Sequence, residues 1–220
     1  MKRLQLTEKA AIGVSWIFSV LFVVFIVIVQ WPNWWMWVVF ELTPMTWLES
    51  TILYTCAMIA FGCFILSFLY KENNKAKLWA LLSFAFFYLS FDERFAIHER
   101  IRDKILAPNN IRIPFLFWIA PGDFILLIFL VIGIFIVPQV LGLFKVRKLA
   151  YYCFLIGVGL SAAVVIVDSI EVKQMSVEFQ RLEQFVEEIV ETIAMLLFMN
   201  SFFLMFTHAI ESRFDWEGKD

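Results

Sequence analysis

Residues 11–29 read AIGVSWIFSVLFVVFIVIV and contain no charged side chain. An α-helix crosses a hydrocarbon core of about 30 Å with roughly 20 apolar residues, so this stretch is long enough to span a membrane. The whole chain has the same character, since 62% of its 220 residues are hydrophobic and its mean hydropathy is +0.81. Soluble domains are only about 45–50% apolar. The sequence therefore predicts an all-α fold, in which residues 1–220 form a single polytopic bundle of transmembrane helices.

The apolar stretches predict about six spans of roughly 20 residues each. The predicted spans are residues 11–29, 47–70, 78–98, 124–144, 149–168 and 187–207. A Trp-rich segment, residues 30–37, lies between the first two spans and is typical of the membrane interface, where an indole ring is half apolar and its N–H reaches water. No basic groove accompanies these rings, so the expected partner is the lipid bilayer and not a nucleic acid.

Charged residues are unevenly distributed over the two predicted sides of the membrane. With the N-terminus inside, most of the 18 Lys and Arg residues lie on the inner side, in short loops next to helix ends. The positive-inside rule then predicts that both termini are cytoplasmic, in a cell inner membrane. Most of the 20 acidic residues lie on the outer side. This acidic outer face is the main functional clue in the sequence.

Carboxylates collect at the outer ends of three predicted spans. The apolar part of the third span, residues 78–91, covers only about 21 Å, so the charged residues after it are expected below the outer membrane boundary. Ionisable groups at that depth are costly unless they face other polar groups. The carboxylate pairs with helical spacing are Asp92 and Glu99, Asp168 and Glu171, and Glu187 and Glu191.

We predict that these six carboxylates converge and bind a divalent metal ion. Converging carboxylates repel one another and need protons, Arg partners or cations as compensation. Di-iron and di-manganese centres in helical bundles use mostly Glu with a few His from facing helices. His98 and Glu188 are the predicted catalytic residues, since either can serve as a base toward a metal-bound water. The basic residues that would instead form a structural ion-pair network are Arg94, Arg100, Arg102 and Arg181.

Two short motifs carry a resemblance to known proteins. The motif D-E-x4-H-E at residues 92–99, followed by E-E-x-x-E at residues 187–191, resembles a pattern in uncharacterised multi-pass bacterial membrane proteins. This resemblance covers about the third to sixth predicted spans and implies no particular activity. By analogy the chain is also similar to the alkaline ceramidase-like membrane hydrolases, which place acids and His around a metal at helix ends. This chain has only two histidines, His98 and His208, fewer than those hydrolases use.

Three classes of function remain open from the sequence. The leading hypothesis is a metal-dependent hydrolase or oxidase that acts on a lipid or other amphiphile, with its site facing the periplasm or exterior. The second is a transporter or channel for divalent cations or protons, which requires a polar path through Asn200 and Ser161 to the inner side. The third is a non-catalytic subunit whose acidic cluster is a structural ion-pair network. Substrate, metal identity and oligomeric state do not follow from the residues.

Overall fold

The computed structural model describes residues 2–114, 124–168 and 175–217, which are helical and contain no β-strand. The predicted all-α fold is thereby confirmed. In chain order the helices are α1 (Lys2–Val29), α2 (Met36–Val39), α3 (Pro44–Leu69), α4 (Asn73–Phe95), α5 (Ile97–Ile101), a π-helical turn (Arg102–Leu106), α6 (Phe124–Phe144), α7 (Lys148–Asp168) and α8 (Val177–Glu217).

Within these described ranges, five helices are long and apolar enough to cross a membrane, as judged by length and composition. They are α1, α3, α6, α7 and α8. Helix α4, the third predicted span, does not meet the same criterion. It has 23 residues but carries Lys75 and Lys77 near its start and three charged residues, 92–94, near its end. The architecture is therefore a helical bundle typical of multi-pass membrane proteins.

Helices α3 and α4 run antiparallel to each other along their whole lengths. Near one end, Ser50 of α3 and Ser90 of α4 donate hydrogen bonds to each other's carbonyl oxygens at 3.0 and 2.9 Å. Seven residues further along α3, the carbonyl oxygen of Ala57 accepts a hydrogen bond from Ser83 of α4 at 3.0 Å. Small residues with hydroxyl groups allow such close contact between helices in membrane proteins. The pairing places the start of α3 and the end of α4 at the same end of the bundle.

The centre of the bundle is a cluster of aromatic rings contributed by four helices. Phe144 of α6 stacks on Phe154 of α7, with ring centroids 4.4 Å apart, and on Phe202 of α8 at 5.9 Å. Trp79 and Phe86 of α4 meet Phe202 edge-on at 5.8 and 4.9 Å. These pairs each contribute about 0.5–1.5 kcal/mol beyond the burial of apolar area. Aromatic rings thus pack tightly in this part of the bundle, where the buried polar residues Asn200 and Ser201 of α8 also lie.

A buried ion pair joins α1 to the rest of the bundle, at the end opposite Ser50. Arg147, between α6 and α7, donates to both carboxylate oxygens of Glu8 at 2.8 and 2.6 Å. Thr207 of α8 donates to Glu8 as well, and Arg147 also donates to the carbonyl oxygen of Leu204 at 2.8 Å. Most large apolar side chains of α1 are exposed, so this polar contact fixes a helix that has little apolar packing of its own.

The predicted third span, residues 78–98, is wrong at its end. Ala96 adopts the left-handed conformation (φ 47°, ψ 51°) and terminates α4, so that His98 lies on the separate short helix α5. The predicted helical spacing of Asp92 and Glu99 along one continuous helix is therefore also wrong. The physical reason is local, because a carboxylate oxygen of Asp92 accepts the backbone N–H of His98 at 2.8 Å and this bond competes with continuation of the helix.

Candidate functional site

Glu49 is the most deeply buried carboxylate at the end of the bundle where α3 begins. Helix α3 starts with Pro44, whose fixed φ suits the first helical position, and Glu49 follows one turn and a half later. The residue is 0% exposed, and its Oε1 accepts a hydrogen bond from Thr192 of α8 at 2.7 Å. Its Oε2 is buried and has no hydrogen-bond partner within the described residues. A buried carboxylate oxygen without a partner is energetically costly.

Two carboxylates of α8 lie against Glu49. One oxygen atom from each of Glu49, Glu188 and Glu191 lies within 4.8 Å of the others. Glu188 and Glu191 share a helix face because residues three apart are neighbours on an α-helix. Two unit charges at this separation repel by on the order of 3 kcal/mol, even at an effective dielectric constant of about 20. Ionisation of Glu49 beside these two carboxylates therefore requires compensation, by a cation or by protonation of a neighbouring carboxylate.

Glu93, near the end of α4, adds a fourth carboxyl group to this side of the bundle. It faces Glu49, and the negative charges of Glu41, Asp92 and Glu99 also act on it. The two side chains are close enough for a carboxyl–carboxylate hydrogen bond, which forms when one of them is protonated and is lost when both are ionised. Among the described residues, no Lys, Arg or His forms an ion pair with Glu49, Glu93 or Glu188.

Asp92 and His98 form a separate pair next to this group. Asp92 is only 5% exposed, which confirms the prediction that it is buried among the helices. One of its oxygens lies 2.8 Å from Nδ1 of His98. Burial acts to lower the pKa of His98, but the hydrogen bond and the charge of Asp92 outweigh this effect and raise the pKa overall. Asp92 therefore orients the imidazole ring and favours its protonated form.

Arg102 neutralises part of the acidic end. Its Nη2 donates to Glu99 at 2.9 Å, and its Nε donates to Asp103 at 2.8 Å. The guanidinium of Arg181 instead lies 4.1 Å from the centroid of the Trp35 ring, as a cation–π contact. The ion-pair network therefore accounts for Glu99, whereas Glu49 and Glu188 lie outside it.

Glu41, in the loop between α2 and α3, lies close to the same charged residues. Its pKa is raised from the usual 4.5 to about 7. Partial burial of its side chain is the main cause, and the negative charge of Glu99 adds to it. A carboxyl group with this pKa changes its protonation state near neutral pH.

The structure places the predicted metal ligands in different surroundings. Glu191 belongs to the group of three carboxylates, together with Glu188, which the sequence had suggested as a catalytic residue. Glu187 lies one turn before Glu191 on α8, and its charge acts on Glu188. Asp168 is the last residue of α7, but its side chain and the whole of Glu171 lie outside the described residues. Asp92 and Glu99 are engaged with His98 and Arg102, as described above.

Sequence reasoning missed Glu49 and Glu93 as members of the site. The signal for Glu49 was present, because a glutamate close to the start of an apolar span is an intramembrane ionisable residue, and such residues are commonly functional. No comparable signal existed for Glu93, because the direction of its side chain toward Glu49 depends on the rotation of α4 about its own axis.

The fold and the buried carboxylates define a helical bundle of the multi-pass membrane class with a polar site at one end. Within that class the chain belongs to the family described as a domain of unknown function, DUF8692, which matches residues 18–206. The matched range includes Glu49, Glu93, Glu188 and Glu191 but not Glu8. No curated protein and no solved structure matches the chain.

Proposed function

We propose that this protein is an integral membrane protein that binds a divalent metal ion through Glu49, Glu188 and Glu191. The observation that carries this proposal is the buried Oε2 of Glu49, which has no hydrogen-bond partner in the described part of the chain and lies beside two further carboxylates. A cation at this point would compensate the three negative charges and give the unpartnered oxygen a ligand. Sites with only oxygen ligands favour hard cations such as Mg²⁺, Mn²⁺ or Ca²⁺.

The proposed topology has six crossings, with both termini in the cytoplasm of a cell with an inner membrane. The 23 residues of α4 give a length of about 35 Å, and α4 runs antiparallel to the membrane-crossing candidate α3. A helix that pairs with a spanning helix along its whole length spans the same layer. An even number of crossings puts both termini on one side, and the distribution of Lys and Arg favours the cytoplasm. The carboxylates then face the periplasm or exterior.

We propose further that the metal site belongs to a hydrolase or oxidase that acts on a lipid or other amphiphile. A bound metal ion would lower the pKa of a coordinated water molecule and so supply a nucleophile. The candidate bases are His98 in its neutral form, which Asp92 orients, and Glu188 in an arrangement where Glu49 and Glu191 hold the metal ion. An amphiphile is the proposed substrate because the ligands lie on α3 and α8, two helices long and apolar enough to lie within a membrane.

A transport function is less well supported, because the buried polar residues in the middle of α8, Asn200 and Ser201, lie next to the aromatic cluster, and Ser201 already donates to the carbonyl oxygen of Ala150 at 2.7 Å. Thr192 at the carboxylate end of α8 and Thr207 at the other end are separated by about 22 Å along the helix. Between them, Phe198 and Phe202 pack into the aromatic cluster. A site open to the outer side is therefore favoured over a path through the bundle.

Elemental analysis of protein purified in mild detergent without chelator tests metal binding. We expect bound metal in the wild-type protein and its loss in the variants Glu49→Gln, Glu188→Gln and Glu191→Gln, because Gln keeps the side-chain shape but removes the charge. Glu178→Gln is the matched control, since Glu178 is an exposed residue in the first turn of the same helix. This control variant should retain the metal.

Thermal unfolding of chelator-treated protein separates the metal site from a purely structural cluster. We expect the added cation to raise the melting temperature of the wild type and of Glu178→Gln but not of Glu49→Gln, because ligand binding to the folded state stabilises it. Protein that contains no metal and does not respond to Mg²⁺, Mn²⁺, Ca²⁺ or Fe²⁺ would contradict the proposal. The cluster would then be held together by shared protons.

A further inference from the structure

Arg94 is a charged side chain near the carboxylate end of the bundle that has no partner among the described residues. It lies in the last turn of α4, and its Nη1 is buried without a hydrogen-bond partner. Its guanidinium forms neither a hydrogen bond nor an ion pair with any described residue. Arg does not lose its proton in proteins, so burial of this charge calls for an anion. The described part of the chain does not supply one.

The guanidinium lies in a groove of about 320 Å³ between α3 and α4. Four aromatic residues form its wall, and each is partly exposed: Trp47 by 47%, Tyr54 by 45%, Phe91 by 42% and Phe95 by 48%. In the proposed six-crossing topology these rings belong to the surface of two helices that border on lipid. The groove therefore combines an aromatic wall with one positive charge, on a half-buried side chain whose Nη1 is fully buried.

The hydroxyl groups of the groove are already engaged within the protein. Ser50 and Ser90 donate to each other's carbonyl oxygens, and Thr51 donates to the carbonyl oxygen of Trp47 at 2.7 Å. Their oxygens can then only accept hydrogen bonds. Among the described groove residues, Arg94 is consequently the positively charged group that offers free donors to an incoming anion, and the N–H of Trp47 and the O–H of Tyr54 are uncharged donors beside it.

We propose that this groove binds an anionic phospholipid, with the phosphate on Arg94 and an acyl chain along the four aromatic rings. Charge complementarity supports the headgroup, since a guanidinium can donate two parallel hydrogen bonds to a phosphate. The depth is suitable, because the end of α4 lies at the same end of the bundle as the Trp-rich segment that precedes α3. An aromatic wall that is open to the hydrocarbon layer favours a membrane lipid over a soluble anion.

This site is distinct from the proposed metal site and does not depend on it. Ser50 and Arg94 each follow a carboxylate of the cluster, Glu49 and Glu93, by one residue. Consecutive residues of an α-helix point about 100° apart. The carboxylates accordingly face α8, whereas Arg94 lies on the lipid-facing side of the α3–α4 pair.

Native mass spectrometry of the detergent-solubilised full-length protein, titrated with phosphatidylglycerol or phosphatidylcholine, tests this proposal. We expect preferential binding of phosphatidylglycerol and about tenfold weaker binding to Arg94→Gln, which loses charge-assisted hydrogen bonds. Arg94→Lys should keep most of the preference because it keeps the positive charge. Arg100→Gln is the matched control, since Arg100 is exposed at the same end of the bundle, and its affinity should equal that of the wild type.

Three outcomes would overturn the proposal. They are equal binding of the two lipids by the wild type, unchanged affinity of Arg94→Gln, and displacement of the lipid by millimolar inorganic phosphate alone. The last result would assign the groove to a free anion. If Arg94→Gln does not fold, the wild type and Arg94→Lys are compared instead. Equal binding of phosphatidylglycerol and phosphatidylcholine by both proteins would then contradict the proposal.

Discussion

Glu8 and Glu49 are buried glutamates at opposite ends of the bundle, and their hydrogen bonding differs. Glu8 accepts hydrogen bonds from Arg147 and Thr207 and is part of an ion pair. Glu49 accepts one hydrogen bond, from Thr192, and its second oxygen has no partner within the described residues. Among the described residues, both carboxylate oxygens of Glu8 therefore have hydrogen-bond donors, whereas only one oxygen of Glu49 has a donor. The unsatisfied state of Glu49 therefore favours a bound ligand over a purely structural role.

The raised pKa of Glu41 predicts a dependence of stability on pH. Because its pKa is about 7 in the folded protein against the usual 4.5, the folded state binds the proton more tightly. The stability contributed by the protonated form is fully present below pH 4.5 and is lost as the pH rises through 7. In chelator-treated protein, the stability of the wild type relative to Glu41→Gln should therefore fall across this window.

Thermal unfolding of both proteins between pH 4.5 and 8 measures this difference. Glu178→Gln serves as the control, because the exposed Glu178 is not part of the acidic end. If the difference in stability between the wild type and Glu41→Gln is constant over the whole pH window, the surroundings of Glu41 do not shift its pKa.

At the scale of secondary-structure elements, the close contact between α7 and α8 depends on Gly157 of α7. A Cβ atom at Gly157 would lie 3.0 Å from the ring of Phe198 and 3.2 Å from the backbone oxygen of Ala194. The ring can move slightly, but the backbone oxygen moves only if α8 shifts as a whole. Gly157 thus permits the close approach of the two helices that small residues provide in membrane proteins.

Gly157→Ala and Gly159→Ala form a matched pair that tests this contact. A Cβ atom at Gly159 meets nothing within 4 Å, so Gly159→Ala should stabilise α7 by about 0.5–1 kcal/mol through its better helix propensity. Gly157→Ala should instead destabilise the protein by about 1–3 kcal/mol through overpacking. Unfolding in detergent measures both changes, and equal effects of the two substitutions would argue against close packing at Gly157.

The topology of the whole molecule is tested with reporter fusions. Six crossings with cytoplasmic termini predict that green fluorescent protein fused after Asp220 or at Lys71 fluoresces. Alkaline phosphatase inserted at Asn109, in the loop beyond α5, should be active because it would be exported. If the reporters at Lys71 and Asn109 lie on the same side of the membrane, α4 does not cross it. If the C-terminus is exported, the orientation is the reverse of the proposed one.

Length and composition by themselves determined the helical architecture of this protein. A hydrocarbon layer leaves backbone N–H and C=O groups without water, so a chain with long apolar stretches must form helices there. The predicted span at residues 124–144 coincides with α6, and residues 11–29 lie within α1. The sequence also showed that acidic residues concentrate at one end of the bundle, because charged residues interrupt the apolar stretches only near helix ends.

Only the tertiary structure decided which carboxylates meet. In a soluble helix, an apolar stripe marks the buried face, but a membrane helix is apolar on both its lipid-facing and its core-facing sides. Its rotation therefore cannot be read from the sequence, and Glu49 and Glu93 were not assigned to the site. Ala96 adopts the left-handed conformation and ends α4, so Asp92 and Glu99 lie on different helices. A hydrogen bond from the backbone N–H of His98 to Asp92 accompanies this break. Glu188 and Glu191 became neighbours of Glu49 through the packing of α3 against α8, which no spacing along one helix determines.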